Sequence, residues 1–440
     1  MAREVRNWSG TQRFKPAGLV EPATPAQTAE AVGRAVAAGG KVRVAGNLHS
    51  FSEIVRTGHT LISLDRQQGI VDADTGSGLV RVRAGSSIRR LSAELDELGL
   101  ALPSLGDIDA QSIAGAIATG THGTGERHLS VSAQVTAAQL VTAAGQIIEI
   151  GESDPIALKA VRVSLGALGV VTELTLQCVP SFRLDRLDIA APLGETLATL
   201  DALAAEFDHF EFFVFPYTTT ALQKRINRTG EPARPMHPAR RFFNDVVIEN
   251  AAFGAAVGIG RLIPPAIPPL ARAIAKLSGP VHRLERSHDA FSTPRLVKFN
   301  ELEYAVPRRH LRESVERILA MTERRRYPVS FPIEVRVGRA DDDCLLSAAA
   351  GRETGYVSVH MHRGMEFEPY FRAVESIMDD YEGRPHWGKI NWQTAAKLAP
   401  RYAGWDDFQT VRARLDPGAV FTNAYIERVL GPVRGPGACD

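Results

Sequence analysis

Apolar and polar positions along the chain change period several times, and each change marks an element. Residues 24–40, TPAQTAEAVGRAVAAGG, read as a helix with both ends marked: Thr24 can cap it, Pro25 fits its first turn, Gln27 completes a capping box, and Gly39–Gly40 stops it. KVRVAG (41–46) predicts a short strand running into glycine, and LISLD (61–65) and LVRVRAG (79–85) predict two more. In SIRRLSAELDELGL (87–100), Ile88, Leu91, Leu95 and Leu98 recur at helical spacing. VTAAQLVTAAGQIIEI (135–150) predicts two strands around a turn near Ala144–Gly145. The first 178 or so residues thus alternate strands and helices with glycines at the junctions, the pattern of an α+β domain that holds a cofactor in its turns.

The texture changes after VTELTLQCVP (171–180). Strands are expected in FEFFVFPY (210–217), VKFNELEYAV (297–306), FPIEVRVG (331–338) and GYVSVHMHRG (355–364), with a helix in RRHLRESVERILAMTERR (308–325). This is a second domain with a sizeable sheet, expected to be polar at one end of its face and apolar at the other. GEPARPMHPARR (230–241) reads as a solvated surface loop. The greasiest run, AAFGAAVGIGRLIPPAIPPL (251–270), is cut by Arg261 and four prolines, so it predicts a buried helix followed by a proline-rich connection rather than a membrane span.

Composition narrows the class. With 440 residues, 44% hydrophobic, and 51 basic against 50 acidic side chains, the chain is neither disordered nor collagen-like. A formal charge of +1 argues against broad capture of nucleic acid. The N-terminal MAREVRNWSGTQRF lacks the apolar stretch of a secretory signal. Three scattered cysteines, Cys178, Cys344 and Cys439, read as core fillers or incidental residues in a reducing, cytoplasmic compartment. Neither GxGxxG at a first strand-to-helix turn nor GxxxxGK[ST] occurs.

Three islands can carry chemistry. In AGNLHSF (45–51), His49 follows a strand-to-glycine turn beside Gly46, Asn47 and Ser50. It can ligate a metal, act as a base, attach a group covalently, or serve structure alone. In SLGDIDAQSIAGAIATGTHGTG (104–125), Gly115, Gly120, Gly123 and Gly125 clear side chains from a stretch rich in Ser and Thr, which includes Ser104, Ser112, Thr119 and His122. Such a run suits a phosphate or pyrophosphate cradle; the bland reading is a tight structural loop. The third island is split. Glu334 and Arg336 are two apart on one strand and so face the same way, either as a functional pair or as a salt bridge at a strand edge. HWGK (386–389) sets His386 and Lys389 around a tryptophan and a glycine, and Lys389 can give positive charge to an anionic intermediate.

Taken in this order, the islands and the tail FTNAYIERVLG (421–431) resemble the vanillyl-alcohol-oxidase-type (PCMH-type) FAD flavoproteins, and most closely their sugar-1,4-lactone and alditol oxidase branch. The resemblance spans nearly the whole chain. It implies an α+β, two-domain fold: an FAD-binding domain (1–178), a substrate domain with a large antiparallel sheet (179–385), and a C-terminal segment (386–440) returning to the first. It implies FAD held through Gly46, Asn47, Ser50, Pro103, Ser112, Gly115, Thr119, Gly120, His122, Gly123, Gly125, His386 and Lys389, with His49 joined covalently to the flavin 8α-methyl. With no cysteine before residue 178, only that single tether is available.

The resemblance implies catalysis by Glu334, Arg336, Lys389, His360 and Ser104. Glu334 and Arg336 would orient the substrate hydroxyl, Ser104 would approach another hydroxyl, and Lys389 would stabilise reduced flavin. Some relatives carry a histidine two positions after HWGK; Asn391 stands there and receives no catalytic duty. Pro103 matches the permissive small residue of oxidases. The expected substrate is a small polar carbohydrate, an L-gulono- or D-arabinono-1,4-lactone, with O2 as acceptor. The alternatives are an alditol oxidase, a lactone dehydrogenase using another acceptor, and a non-catalytic flavin-storage protein.

Overall fold

The chain was analysed as a computed structural model that describes residues 4–234, 253–292 and 295–433. The expected first helix forms at Pro25–Ala37: Thr24 Oγ1 accepts from the Gln27 backbone N–H at 3.2 Å, and Gly39 turns the chain with φ 68°. The Gln27 side chain caps one residue earlier than a capping box requires, accepting from Ala23 N at 2.8 Å. That helix buries Ala31, Val32 and Ala35 against two sheets at once. One is a parallel sheet ordered Gly18–Val20, Thr60–Ser63, Val42–Ala45. The other is antiparallel, ordered Ile147–Ile150, Val135–Val141, Val170–Gln177, Leu79–Arg83, Ile70–Asp74.

The second half is built on an eight-stranded antiparallel sheet, ordered Val281–Arg286, Arg183–Pro192, Thr220–Thr229, His209–Val214, Ile333–Gly338, Thr354–His362, Phe299–Pro307, Arg384–Pro385. Its polarity separates the two faces rather than two ends, because each strand alternates with period two. Val335, Val337, Val357, Val359, Leu302 and Tyr304 bury one face beneath the helices Leu311–Arg325 and Glu368–Asp379. The opposite face carries Glu211, Glu301, Glu303, Glu334, Arg336, Ser358 and His360, all buried.

The C-terminal segment packs back on the first half. Trp387, Tyr402, Trp405, Phe408 and Tyr425 share a core with Ile113, Leu158 and Val161. Arg43 ties the same elements. Its guanidinium, 2% exposed, donates to the carbonyls of Ile54, Leu165, Gly166 and Phe421 at 2.8–3.0 Å. Burial brings its pKa down to about 9, still a cation at neutral pH.

The expectation for 251–270 is corrected. Residues 251–252 and most of 230–241 lie outside the described residues. From there the chain forms a surface hairpin of two helices, Phe253–Leu262 and Ile267–Leu277. Pro264 and Pro265 sit in the 3-10 turn between them, and Pro268–Pro269 open the second helix, where a missing N–H is not needed. Only Val257 and Gly260 of the first helix are buried. Among the described residues no helix is long and apolar enough to cross a membrane. Cys178 and Cys344 are buried and free, and burial drives both thiols up, Cys178 to about 12. Cys439 lies outside the described residues.

Candidate active site

The turn after strand Val42–Ala45 and the segment entering helix Ile113–Ala118 face each other across a cleft enclosing about 890 Å³, part of it open to solvent. Gly46, Asn47, His49, Ser50, Ser112, Gly115 and Thr119 line it, with Ser164 and Gly166. A Cβ on Gly46 would overlap Ser112 Oγ, and one on Gly115 would come within 2.8 Å of the same atom. The two segments therefore approach as closely as they do only because Gly46 lacks a side chain, while Gly115 makes room for the Ser112 cap of its own helix. Asn47 fixes the turn by donating to Ala110 O at 2.6 Å. Leu48, at φ 55°, turns the backbone immediately before His49. Burial, reinforced by the charge of Lys389, lowers the His49 pKa to about 4. The cleft wall therefore presents a neutral imidazole with a nitrogen lone pair to offer. Small side chains, glycine backbone and this ring fit an extended dinucleotide such as FAD.

A second cavity, of about 280 Å³, is lined by Ser104, His122, Gly123 and Gly125 together with Tyr356 and Asp341. His122 spans the two halves of the protein. Its Nε2 lies 2.7 Å from Glu303 Oε1 and its Nδ1 2.9 Å from Gly123 O, and its ring stacks on Tyr356 at 3.6 Å. Gly123 lets this loop pass, since a Cβ there would sit 2.7 Å from Ser104 Oγ. Pro103 and Gly120 line neither cavity.

The polar sheet face forms a floor of alternating charges. Register places Glu334 opposite Ser358, Ser358 opposite Glu303, and Glu301 opposite His360. Arg336 contacts Glu334, pairs with Glu211 at 2.7 Å and lies 3.4 Å from Asp107 of the first half. Lys224 holds the other Glu211 oxygen at 2.6 Å, and Arg295 holds Asp107 at 2.6 Å. Lys389 pairs with Glu301, whose second oxygen lies 3.5 Å from His360 Nε2. The backbone carries Lys389 there: His386 N and Ile390 N donate to Glu303 O and Glu301 O, each at 3.0 Å, as though extending the sheet. Gly388 O receives Phe51 N at 2.7 Å, which locks this segment to the turn bearing His49 and Ser50.

The carboxyls divide electrostatically. Burial opposes ionisation at all of them, yet Lys389 holds Glu301 at about 2, and Lys224 with Arg336 hold Glu211 at about 2. At Glu334 burial prevails over Arg336 and the value rises to about 7. Lys389 is raised by Glu301 and Glu303 against its own burial, and His386, buried, falls to about 4. One carboxyl is thus poised to exchange a proton near neutrality among others that are fixed anions.

Of the expected residues, Glu334, Arg336, His360, His386 and Lys389 meet on this floor, while His49 and its neighbours line the adjoining cleft. Asn391 donates to Tyr425 OH at 3.2 Å. Glu211, Glu301, Glu303, Asp107, Lys224 and Arg295 were not singled out from sequence. The alternation in NELEY, with two carboxylates at strand spacing in an apolar run, was the signal available for Glu301 and Glu303.

Comparison with known proteins places this arrangement. Residues 174–429 match the family profile of D-arabinono-1,4-lactone oxidase, and residues 16–151 match that of an FAD binding domain. A Mycobacterium tuberculosis protein named L-gulono-1,4-lactone dehydrogenase is 45% identical over 97% of this chain and 99% of its own. The chain belongs to the D-arabinono-1,4-lactone oxidase family. It is an FAD-dependent oxidoreductase of the vanillyl-alcohol-oxidase type. Other relatives are the Bos taurus L-gulonolactone oxidase (32% identity over 97% of this chain and 98% of its own) and a Streptomyces alditol oxidase (31% over 98% and 100%). A solvent-stable cholesterol oxidase structure shares the fold at TM-score 0.81 and 18% identity, covering 97% of each chain.

Proposed function

We propose that this protein is a sugar-1,4-lactone dehydrogenase that oxidises a hydroxyl of L-gulono-1,4-lactone and passes the electrons to an acceptor other than oxygen. The observation that carries this reading is the near full-length, 45% identical relative named for that activity. It favours the dehydrogenase over the oxygen-reducing oxidase expected from sequence. FAD, held by the residues that line the cleft, would supply the two-electron redox chemistry.

The chain's own residues prepare the substrate. Arg336, clamped by Glu211 and Asp107, offers its remaining guanidinium donors to the hydroxyl. Glu334, near 7, takes the hydroxyl proton on a carboxylate oxygen. Lys389 stays cationic because Glu301 holds it, and so keeps a fixed positive charge beside the cleft. His49, kept neutral, forms the covalent tether to the cofactor.

A panel of lactones, alditols and aldoses added without oxygen tests the substrate class. L-gulono-1,4-lactone should bleach the oxidised-flavin band fastest; bleaching by alditols alone would overturn the reading.

A further inference from the structure

Two short strands near the start of the chain, Val5–Arg6 and Arg13–Phe14, pair as an antiparallel hairpin. The residues between them hold the turn that carries His49 from both sides. Trp8 N donates to Leu48 O at 2.8 Å, Asn7 Nδ2 to Ser50 O at 3.0 Å, and Gln12 Nε2 to Phe51 O at 3.3 Å. Asn7 is itself fixed, since Gln12 N donates to its Oδ1 at 3.0 Å. Leu48 stands in the left-handed region at φ 55°, which a branched side chain adopts only where its surroundings hold it, and the Trp8 N–H is part of that hold.

The Trp8 ring lies beside the His49 imidazole, with centroids 5.9 Å apart and planes 23° apart. Phe51 and Phe299 meet Trp8 edge to face, at 6.2 Å and 5.2 Å, so its own ring is locked from two further directions. Among the described residues neither ring nitrogen of His49 has a hydrogen-bond partner, which leaves the stacked indole to fix the plane of the imidazole.

We propose that the N-terminal hairpin positions His49 for covalent attachment of the flavin, the Trp8 face turning the imidazole so that a ring nitrogen meets the 8α-methyl carbon. The inference rests on the reading of His49 as the tether. Attachment forms one N–C bond and breaks one methyl C–H and the imidazole N–H. The two protons and two electrons released leave the flavin reduced, and the two-electron acceptor used in turnover takes them from it. A nitrogen lone pair lies in the ring plane, so the rate depends steeply on that plane's angle. Phe299 belongs to the large sheet, so the aromatic hold on His49 is complete only once both halves of the protein have come together.

The test compares the parent with W8F, W8L, Q12A and H49A. Total bound flavin is read from the native protein and attached flavin from the acid pellet and the mass of the intact chain, before and during incubation with FAD and a soluble redox dye. W8L should attach flavin about fivefold more slowly or worse at near-parent total flavin, Q12A about twofold more slowly, and W8F within about twofold of the parent. Circular dichroism and total flavin report folding. A merely structural role would lower those two together and leave the attachment rate of the loaded protein unchanged. Parent-like attachment in W8L, or equal slowing in W8F and W8L, overturns the proposal while H49A still releases all its flavin. Should W8L fail to fold, parent-like attachment in Q12A overturns it. A parent without acid-stable flavin overturns the tether and this inference together.

Discussion

Replacing Lys389 by methionine removes the cation from a buried carboxylate, that of Glu301. Glu301 is 3% exposed, and the other side chain beside it is His360, whose Nε2 lies at 3.5 Å. Lys389 and His360 hold the Glu301 carboxyl at about 2 against an ordinary 4.5 despite burial. A depressed acid stabilises the fold at every pH above its ordinary value and loses that contribution as pH falls through the folded value. At neutral pH the difference is therefore fully present and worth about 3 kcal/mol. The figure agrees with the roughly 3–5 kcal/mol lost when one member of a buried pair is removed. K389M should melt several degrees below the parent at pH 7. E301Q/K389M, which removes both charges, should recover at least about 1.5 kcal/mol of the loss. Thermal unfolding of the parent, both single variants and the double variant closes the cycle. Equal losses in K389M and the double variant would refute the reasoning, because the penalty would then lie in packing rather than in a stranded carboxylate.

Other expectations follow from the same floor and cleft. Substrate-driven flavin reduction should rise about tenfold per pH unit up to about 7 and then level, and E334Q should be slower by about 10²-fold or more with that rise abolished. The Glu334 value lies above the ordinary 4.5, so its contribution is intact below that pH and is lost as pH rises through 7; E334Q should gain stability relative to the parent at pH 8 but not at pH 4. H49A should release all of its flavin into the supernatant on acid precipitation, whereas the parent pellet stays yellow; a colourless parent pellet would remove the tether. R43K has three donors for four carbonyls and should lose about 2 kcal/mol or more, and R43L should fail to accumulate as soluble protein.

Much of this was readable in the chain because it depends on local geometry. Period-two spacing put Glu334 and Arg336 on one face, and glycines beside a strand end marked the turn that carries His49. Partners supplied by strand register were not readable. Nothing near Glu301 in sequence says that Lys389, eighty-eight residues later, will lie against it. The split of the sheet into an apolar and a polar face follows from which strands neighbour which, and that is a long-range choice. The hairpin at 253–277 was misread for a related reason. An apolar run reveals that a segment avoids water, but not whether it does so inside the protein, and prolines that open a second helix look like a connection until the first turn is seen.

The central claim is tested most directly by one single-turnover measurement. The protein is reduced anaerobically with one equivalent of L-gulono-1,4-lactone, and return of the flavin colour is followed after mixing with either air-saturated buffer or a soluble redox dye. The account predicts full bleaching by the lactone, rapid recovery with the dye, and recovery slower by orders of magnitude with oxygen. Rapid recovery in oxygen with an equivalent of hydrogen peroxide, or a lactone that leaves the flavin oxidised, would contradict it.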